Sequence, residues 1–183
     1  IPNPWFSTDL VWDEDINCDI ENALVPNDPF EQYLGLGAVT PGKFPIYYRS
    51  DVDGDWLKLT ADTYPMTPYD DVAGHAVGYN LYSAGAWSRA AVTDNYYVAY
   101  WIVATTNQDE PVISIMGQRQ DQKIADAKAN NKWETMSFGA AMFKEYKVLY
   151  RLLVKCNTGY ANAIKAYIYE TQDLRSISNL PAG

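Results

Sequence analysis

The segment Tyr146-Lys-Val-Leu-Tyr-Arg-Leu-Leu-Val-Lys-Cys156 decides the predicted fold, because its side chains alternate in character. One parity carries the three basic residues, Lys147, Arg151 and Lys155. The other parity is apolar and consists of Tyr146, Val148, Tyr150, Leu152 and Val154. Successive side chains of a β-strand point to opposite faces, so a repeat of two predicts a strand with one buried face. We expect the apolar row to be more buried than the basic row, which would face solvent or a neighbouring subunit.

The rest of the chain also contains mostly strand patterns. Aspartates and a glycine at 50–54 separate two β-prone runs, which predicts a hairpin. The predicted strands are 44–49, 55–59, 78–82, 86–92, 96–105, 111–117 and 163–170, in addition to 146–156. A single helical pattern spans 120–130. These elements predict an all-β fold, an antiparallel β-sandwich of the jelly-roll kind, with one short α-helix near 120–130.

Composition divides the chain into an arm, a domain and a linker. Residues 1–42 are acidic and rich in proline, 43–175 contain the predicted sandwich, and 176–183 resemble a linker. Three aromatic residues of the arm, Trp5, Phe6 and Trp12, are predicted oligomer contacts. They would dock on their own domain or on a neighbouring chain, and the alternative is an acidic, solvated arm.

Charge and hydropathy restrict the partners. The 183 residues carry a formal net charge of −9, which disfavours binding to nucleic acid or to an anionic membrane surface. The longest apolar run, 96–104, has nine residues and is too short to span a bilayer. We find no pattern of a signal peptide.

Metal binding is not expected. Asp51, Asp53 and Asp55 resemble a compressed calcium loop, but the intervening glycine is misplaced for that motif and no distal glutamate follows. A hairpin turn explains these residues better, since aspartate and glycine are the usual turn residues. Cys18 and Cys156 do not form a metal-binding pair, and the sequence leaves a disulfide between them open.

Two short segments contain residues that could take part in catalysis or anion binding. His75, the single histidine, follows Asp70 and Asp71, but no nucleophile motif accompanies it, so a surface hydrogen-bonding role is favoured over catalysis. Arg119 lies between a predicted strand and the helix, where it would hold an anion at the helix start. The glycines of a phosphate cradle are missing, so no nucleotide site and no cofactor is predicted.

Aromatic residues are the best binding candidates, since the chain has 15 tyrosines and six tryptophans. Trp101 lies in an apolar run and is predicted to be core. Trp56, Trp87 and Trp133 stand beside turns or polar residues and are better candidates for exposure. The candidate binding residues are Trp56, Trp87, Trp133, Tyr79 and Tyr82. A glycosidase would need a pair of carboxylates across a sugar, which the sequence does not identify.

Several motifs in residues 40–183 together resemble a structural domain of tailed bacteriophages that occurs in tail fibres and related appendages. Besides the hairpin at 44–56, they are 97–105 (YVAYWIVAT), 111–118 (PVISIMGQ), 125–130 (ADAKAN), 146–151 (YKVLYR), 157–160 (NTGY), 173–175 (DLR) and 179–183 (NLPAG). The resemblance implies a β-rich virion module, one piece of a longer and usually trimeric fibre protein. It implies no catalytic residues.

The resulting functional hypothesis is a non-enzymatic structural and adhesion module located in a virion. Its expected partners are identical chains in a trimer, other virion proteins, and a glycan or protein on the host surface. Two alternatives stay open: a β-sandwich depolymerase that cleaves polysaccharide, and an extracellular bacterial carbohydrate-binding or filament subunit.

Overall fold

The computed structural model describes residues 44–62, 65–105, 112–139, 146–161 and 164–175. These residues form eight strands, one α-helix and one turn of 3-10 helix. In chain order they are β1 (Phe44–Ser50), β2 (Asp55–Asp62), β3 (Gly78–Ser83), β4 (Ala86–Ala91), β5 (Tyr97–Thr105), β6 (Val112–Asp121), α1 (Ile124–Asn130), the 3-10 helix (Trp133–Thr135), β7 (Tyr146–Cys156) and β8 (Ala166–Asp173).

Six strands form one sheet in the order β2-β1-β6-β5-β7-β8, and β3 pairs with β4 in a separate hairpin. The prediction of an all-β, sandwich-like fold with one short helix is therefore confirmed for the described residues. The predicted fully antiparallel pairing is wrong at one place, because β1 and β6 run parallel, with Ile46 opposite Ser114, which makes the sheet mixed. Parallel neighbours need a long crossover, and the chain here passes through β2 to β5 between them.

The β3–β4 hairpin covers the first face of the sheet. Val77, Tyr79 and Val92 from the hairpin region pack with Tyr100 and Ile102 of β5 in one buried cluster. The hydroxyl of Tyr100 donates a hydrogen bond of 2.6 Å to the carbonyl of Gly78 and so ties the sheet to the hairpin. Burial of these side chains removes apolar surface from water, which is the main force that holds the hairpin in place.

The segment after β6 covers the second face. Helix α1 contributes Ala127 and the 3-10 helix contributes Trp133, and both pack with Trp101 and Leu153 of the sheet. Trp133 meets Trp101 edge to face, with ring centroids 5.5 Å apart. The central strand β5 is thus covered on both faces, and all nine of its residues are buried.

The predicted order of burial along β7 is confirmed for Val148, Tyr150, Leu152 and Val154, which are at most 1% exposed, while Lys147 and Lys155 are half-buried. The expectation that the whole basic row faces solvent or a neighbouring subunit is wrong. Arg151 is only 7% exposed and Leu153 is fully buried, because β7 is covered on both faces. The register shifts so that Tyr150 faces Ile102 while Val148 faces Val103, which makes Leu149 an extra residue in the strand. Val148 therefore packs on the second face, whereas Tyr150 packs on the first.

Some predictions fall outside the described residues. These are the arm at 1–42 with Trp5, Phe6 and Trp12, the linker at 176–183, and Cys18. Cys156, at the end of β7, is fully buried in the first-face cluster. Burial raises the pKa of its thiol to about 11, so the group is protonated at neutral pH.

Gly117 is the position in the sheet that we expect to tolerate substitution least. A methyl group there would overlap the main-chain carbonyl oxygen of Ala99, and both chains are held by sheet pairing. Gly117→Ala should lower the free energy of unfolding by about 3 kcal/mol, at the upper end for overpacking. The measurement is chemical denaturation followed by circular dichroism.

Gly85→Ala is the matched control. Gly85 has φ +81°, and an added methyl group meets no atom within 4 Å. This substitution should cost only about 1 kcal/mol for the left-handed backbone. Equal destabilisation by the two substitutions would contradict the close approach of β6 to Ala99.

Candidate functional site

A cleft of about 290 Å³ opens where the tip of the β3–β4 hairpin meets the segment after β6. Its lining combines two indole rings with amides, hydroxyls and cations. Among the lining residues are Trp87, Trp101, Gln118, Arg119, Asn131 and Lys132. We call it the Trp87 cleft. Its volume lies at the low end of small-molecule sites, about 300 Å³, which suits one sugar-sized group.

Irregular pairing between β5 and β6 brings Gln118 and Arg119 to the cleft. The register shifts between Val98 and Tyr100, which places three residues of β6, 117–119, opposite Ala99 alone. Gly117 permits this close approach because it has no side chain to meet the Ala99 carbonyl. A bulge of this kind turns side chains away from the regular alternation of the strand, and such bulges are common beside functional sites.

Gln118 fixes the opposite wall of the cleft. Its side-chain amide donates to the carbonyl of Ser137 at 2.8 Å, and its side-chain oxygen accepts from the backbone N–H of Ser137 at 2.7 Å. This reciprocal pair holds the segment after the 3-10 helix against the end of β6. The wall is therefore fixed by two hydrogen bonds and not only by the chain connection.

Trp87 forms one wall of the cleft and is held in position by contacts with Arg49 and Asp51. The guanidinium of Arg49 lies 4.7 Å from the centre of the indole ring. The backbone of Trp87 also pairs with that of Asp51 through two hydrogen bonds of 2.9 and 3.0 Å. Arg49 in turn donates to the hydroxyl of Ser137 at 2.7 Å, so a single arginine links both sides of the cleft. The half-buried indole is thus preorganised.

Trp101 supplies the most buried part of the lining. It is 2% exposed, and its indole N–H is a buried donor without a hydrogen-bond partner among the described residues. Burying an unpaired donor costs about 1–3 kcal/mol, so native structures contain few such groups.

A buried polar network supports the cleft from below. Asp121 accepts hydrogen bonds from Arg119 at 2.6 and 3.0 Å and from Asn131 at 3.1 Å. The hydrogen bond with Asp121 raises the pKa of Arg119. Arg151 donates to the carbonyl of Asn131 at 2.7 Å and to that of Lys128 at 3.1 Å. Desolvation lowers the pKa of Arg151, because its charged guanidinium is largely buried.

The lining is positively charged in an acidic protein. Arg119 and Lys132 line the cleft, and among the described residues that line it none is aspartate, glutamate, histidine or cysteine. Arg49 and Arg151 contact the lining through their hydrogen bonds to Ser137 and Asn131. The described part of the cleft thus provides an aromatic wall, hydrogen-bonding groups and net positive charge.

The structure corrects part of the predicted binding set. Trp87 lines the cleft, but Trp56 and Trp133 are 6% and 7% exposed, so their predicted exposure is wrong. Trp56 donates its indole N–H to the carbonyl of Phe138 at 2.7 Å and packs in the second-face cluster. Tyr79 is likewise buried, in the first-face cluster, whereas Tyr82 is exposed but does not line the cleft. The prediction that Trp101 is core is confirmed.

The lining residues outside this set carried weak sequence signals. The sequence predicts Arg119 as an anion contact at the start of the helix. In the structure the bulge of β6, and not the helix, brings Arg119 to the cleft. The helix begins only at Ile124. Asn131, Lys132 and Ser137 have no distinctive pattern, since they come together only after the segment folds over the second face.

The remaining chemical candidates are not assembled into a site. His75 lies on an exposed loop, where its Nδ1 is 2.8 Å from Asp70. Asp51, Asp53 and Asp55 belong to the exposed β1–β2 turn and its edges. In the described ranges, no group of three or more acidic, histidine or cysteine side chains is arranged to hold a metal ion.

Two further searches complete the description. No helix in the described part of the chain is long and apolar enough to span a membrane. Comparison with protein-family models, with curated proteins and with solved structures found no match.

Proposed function

We propose that this chain is a non-enzymatic adhesion module that binds a sugar unit of a surface glycan in the Trp87 cleft. The observation that carries the proposal is the lining itself, in which an indole held by Arg49 faces amides and cations. Aromatic rings pack against the apolar faces of sugars, and polar side chains around them read the hydroxyl groups. Binding rather than cleavage is favoured because the described residues of the lining include no carboxylate pair.

The sequence resemblance supports placing this module in a virion, as part of a bacteriophage tail fibre or related appendage. A β-rich domain with a shallow polar cleft suits such a role, because identical subunits present several weak sites at once and gain avidity. The proposed partners are copies of the same chain, other virion proteins and a glycan on the host surface.

Glycan binding is tested with the full chain on an array of bacterial surface polysaccharides. We expect retention on at least one polysaccharide, and we expect Trp87→Ala to reduce it at least about tenfold, since aromatic stacking on the ligand is lost. Tyr169→Ala is the control, because Tyr169 is an exposed aromatic residue on β8 that does not line the cleft. Absence of retention on every polysaccharide, or an unchanged signal for Trp87→Ala, would overturn the proposal.

Self-association as a trimer is the second expected outcome. The full chain should scatter light at about three times the 20.6 kDa of one chain at micromolar concentration. Replacement of Trp5 and Trp12 by alanine should shift the population toward monomer. A clean monomer of the unmodified chain would refute trimer formation and leave glycan binding by a single cleft unaffected.

A further inference from the structure

We infer that the sugar bound in the Trp87 cleft carries a carboxylate, as in a hexuronic acid. The inference rests on the proposed function and narrows its ligand to one chemical class. It uses the two cations of the lining, Arg119 and Lys132, together with the buried arginines that contact the lining.

Arg119 is oriented but not saturated. Its Nε and Nη2 atoms donate to Asp121, at 3.0 and 2.6 Å, which fixes the plane of the guanidinium. Its Nη1 atom has no hydrogen-bond partner among the described residues, and the side chain remains about half exposed at 47%. An arginine held in this way presents a charged donor in a fixed direction, which is the geometry that favours a carboxylate oxygen.

Lys132 supplies the second cation. It is exposed, lines the same cleft, and its ammonium group forms no hydrogen bond or ion pair with the described residues. Lys128, four residues earlier, differs in this respect because Glu170 accepts from it at 2.6 Å. Of the two lysines, only Lys132 therefore has its charge available to a ligand in the cleft.

Asp121 balances the charge of Arg119, so the uncompensated positive charge of the lining is that of Lys132. Asp121 is 7% exposed and is already used by Arg119 and Asn131. Asp51 pairs through its backbone with Trp87, and Glu134 is next to a lining residue in sequence. Neither of these two acidic residues lines the cleft. A neutral sugar would leave Lys132 without an anionic partner, whereas a carboxylate would form charge-assisted hydrogen bonds with the Lys132 ammonium group and with Nη1 of Arg119.

Calorimetry with paired probes tests the inference. The probes are oligosaccharides of mannuronate, galacturonate and glucuronate, each compared with its own carboxyl-reduced form, which has the same ring but no charge. We expect the full chain to bind at least one acid form at least about tenfold more tightly than the reduced form, the effect of one charge-assisted contact. The preference should weaken as salt is raised.

Three variants assign the effect to the cleft. Lys132→Gln should reduce the preference for the acid form and leaves the Arg119–Asp121 pair intact. In the double variant with Arg119→Gln, the dissociation constants of the acid and reduced forms should differ by no more than about twofold. Lys123→Gln removes an exposed lysine that does not line the cleft and should leave the preference unchanged. Thermal unfolding of each variant establishes that it is folded.

The outcomes separate the two proposals. Equal binding of acid and reduced forms would overturn the carboxylate inference and leave glycan binding standing. An acid preference that survives in the double variant would overturn its assignment to this cleft. If the unmodified chain binds none of these probes and no polysaccharide of the array, the proposed function itself is overturned.

Discussion

The burial of strand β5 on both faces is the constraint on which the rest of the structure depends. All nine of its residues, Tyr97–Thr105, are removed from solvent. An antiparallel sheet commonly exposes one face, so a central strand without an exposed side needs two separate covers. The β3–β4 hairpin provides one, and the segment with α1 and the 3-10 helix provides the other.

The Trp87 cleft is a consequence of these two covers. Each cover packs on its own face, and the two approach one another near the ends of β1 and β6. Arg49 bridges that junction, since it stacks on Trp87 of the hairpin and donates to Ser137 of the other cover. A site built at a junction of rigid elements can be preorganised without strain in the core, which favours binding.

The sequence predicted the strands well because their signals are local. Alternation and turn residues located both hairpins, and the helical pattern at 120–130 contains the observed helix Ile124–Asn130. The environment of single side chains was harder to predict. Trp56 and Trp133 have polar neighbours in sequence, yet they are buried because the second cover folds over them. Arg151 shares a parity with lysines, yet it is buried because carbonyls at the end of α1 accept its hydrogen bonds.

The cleft itself was not predictable from local pattern. It joins residues from β4, β5, β6 and the segment at 131–137, which are brought together only by the fold. The bulge at Gly117 is a further obstacle, since a two-residue period places Arg119 incorrectly. The sequence points to Trp87 because it stands beside a turn, and to Arg119 only as an arginine before the predicted helix that could hold an anion.

A crystal structure of the full chain with a bound hexuronic oligosaccharide is the most direct test of the central claim. We predict a sugar ring against Trp87, with its carboxylate about 3 Å from Arg119 Nη1 or Lys132 Nζ. A sugar bound at any other surface, or one in the cleft with its carboxylate turned away from both cations, would contradict this account.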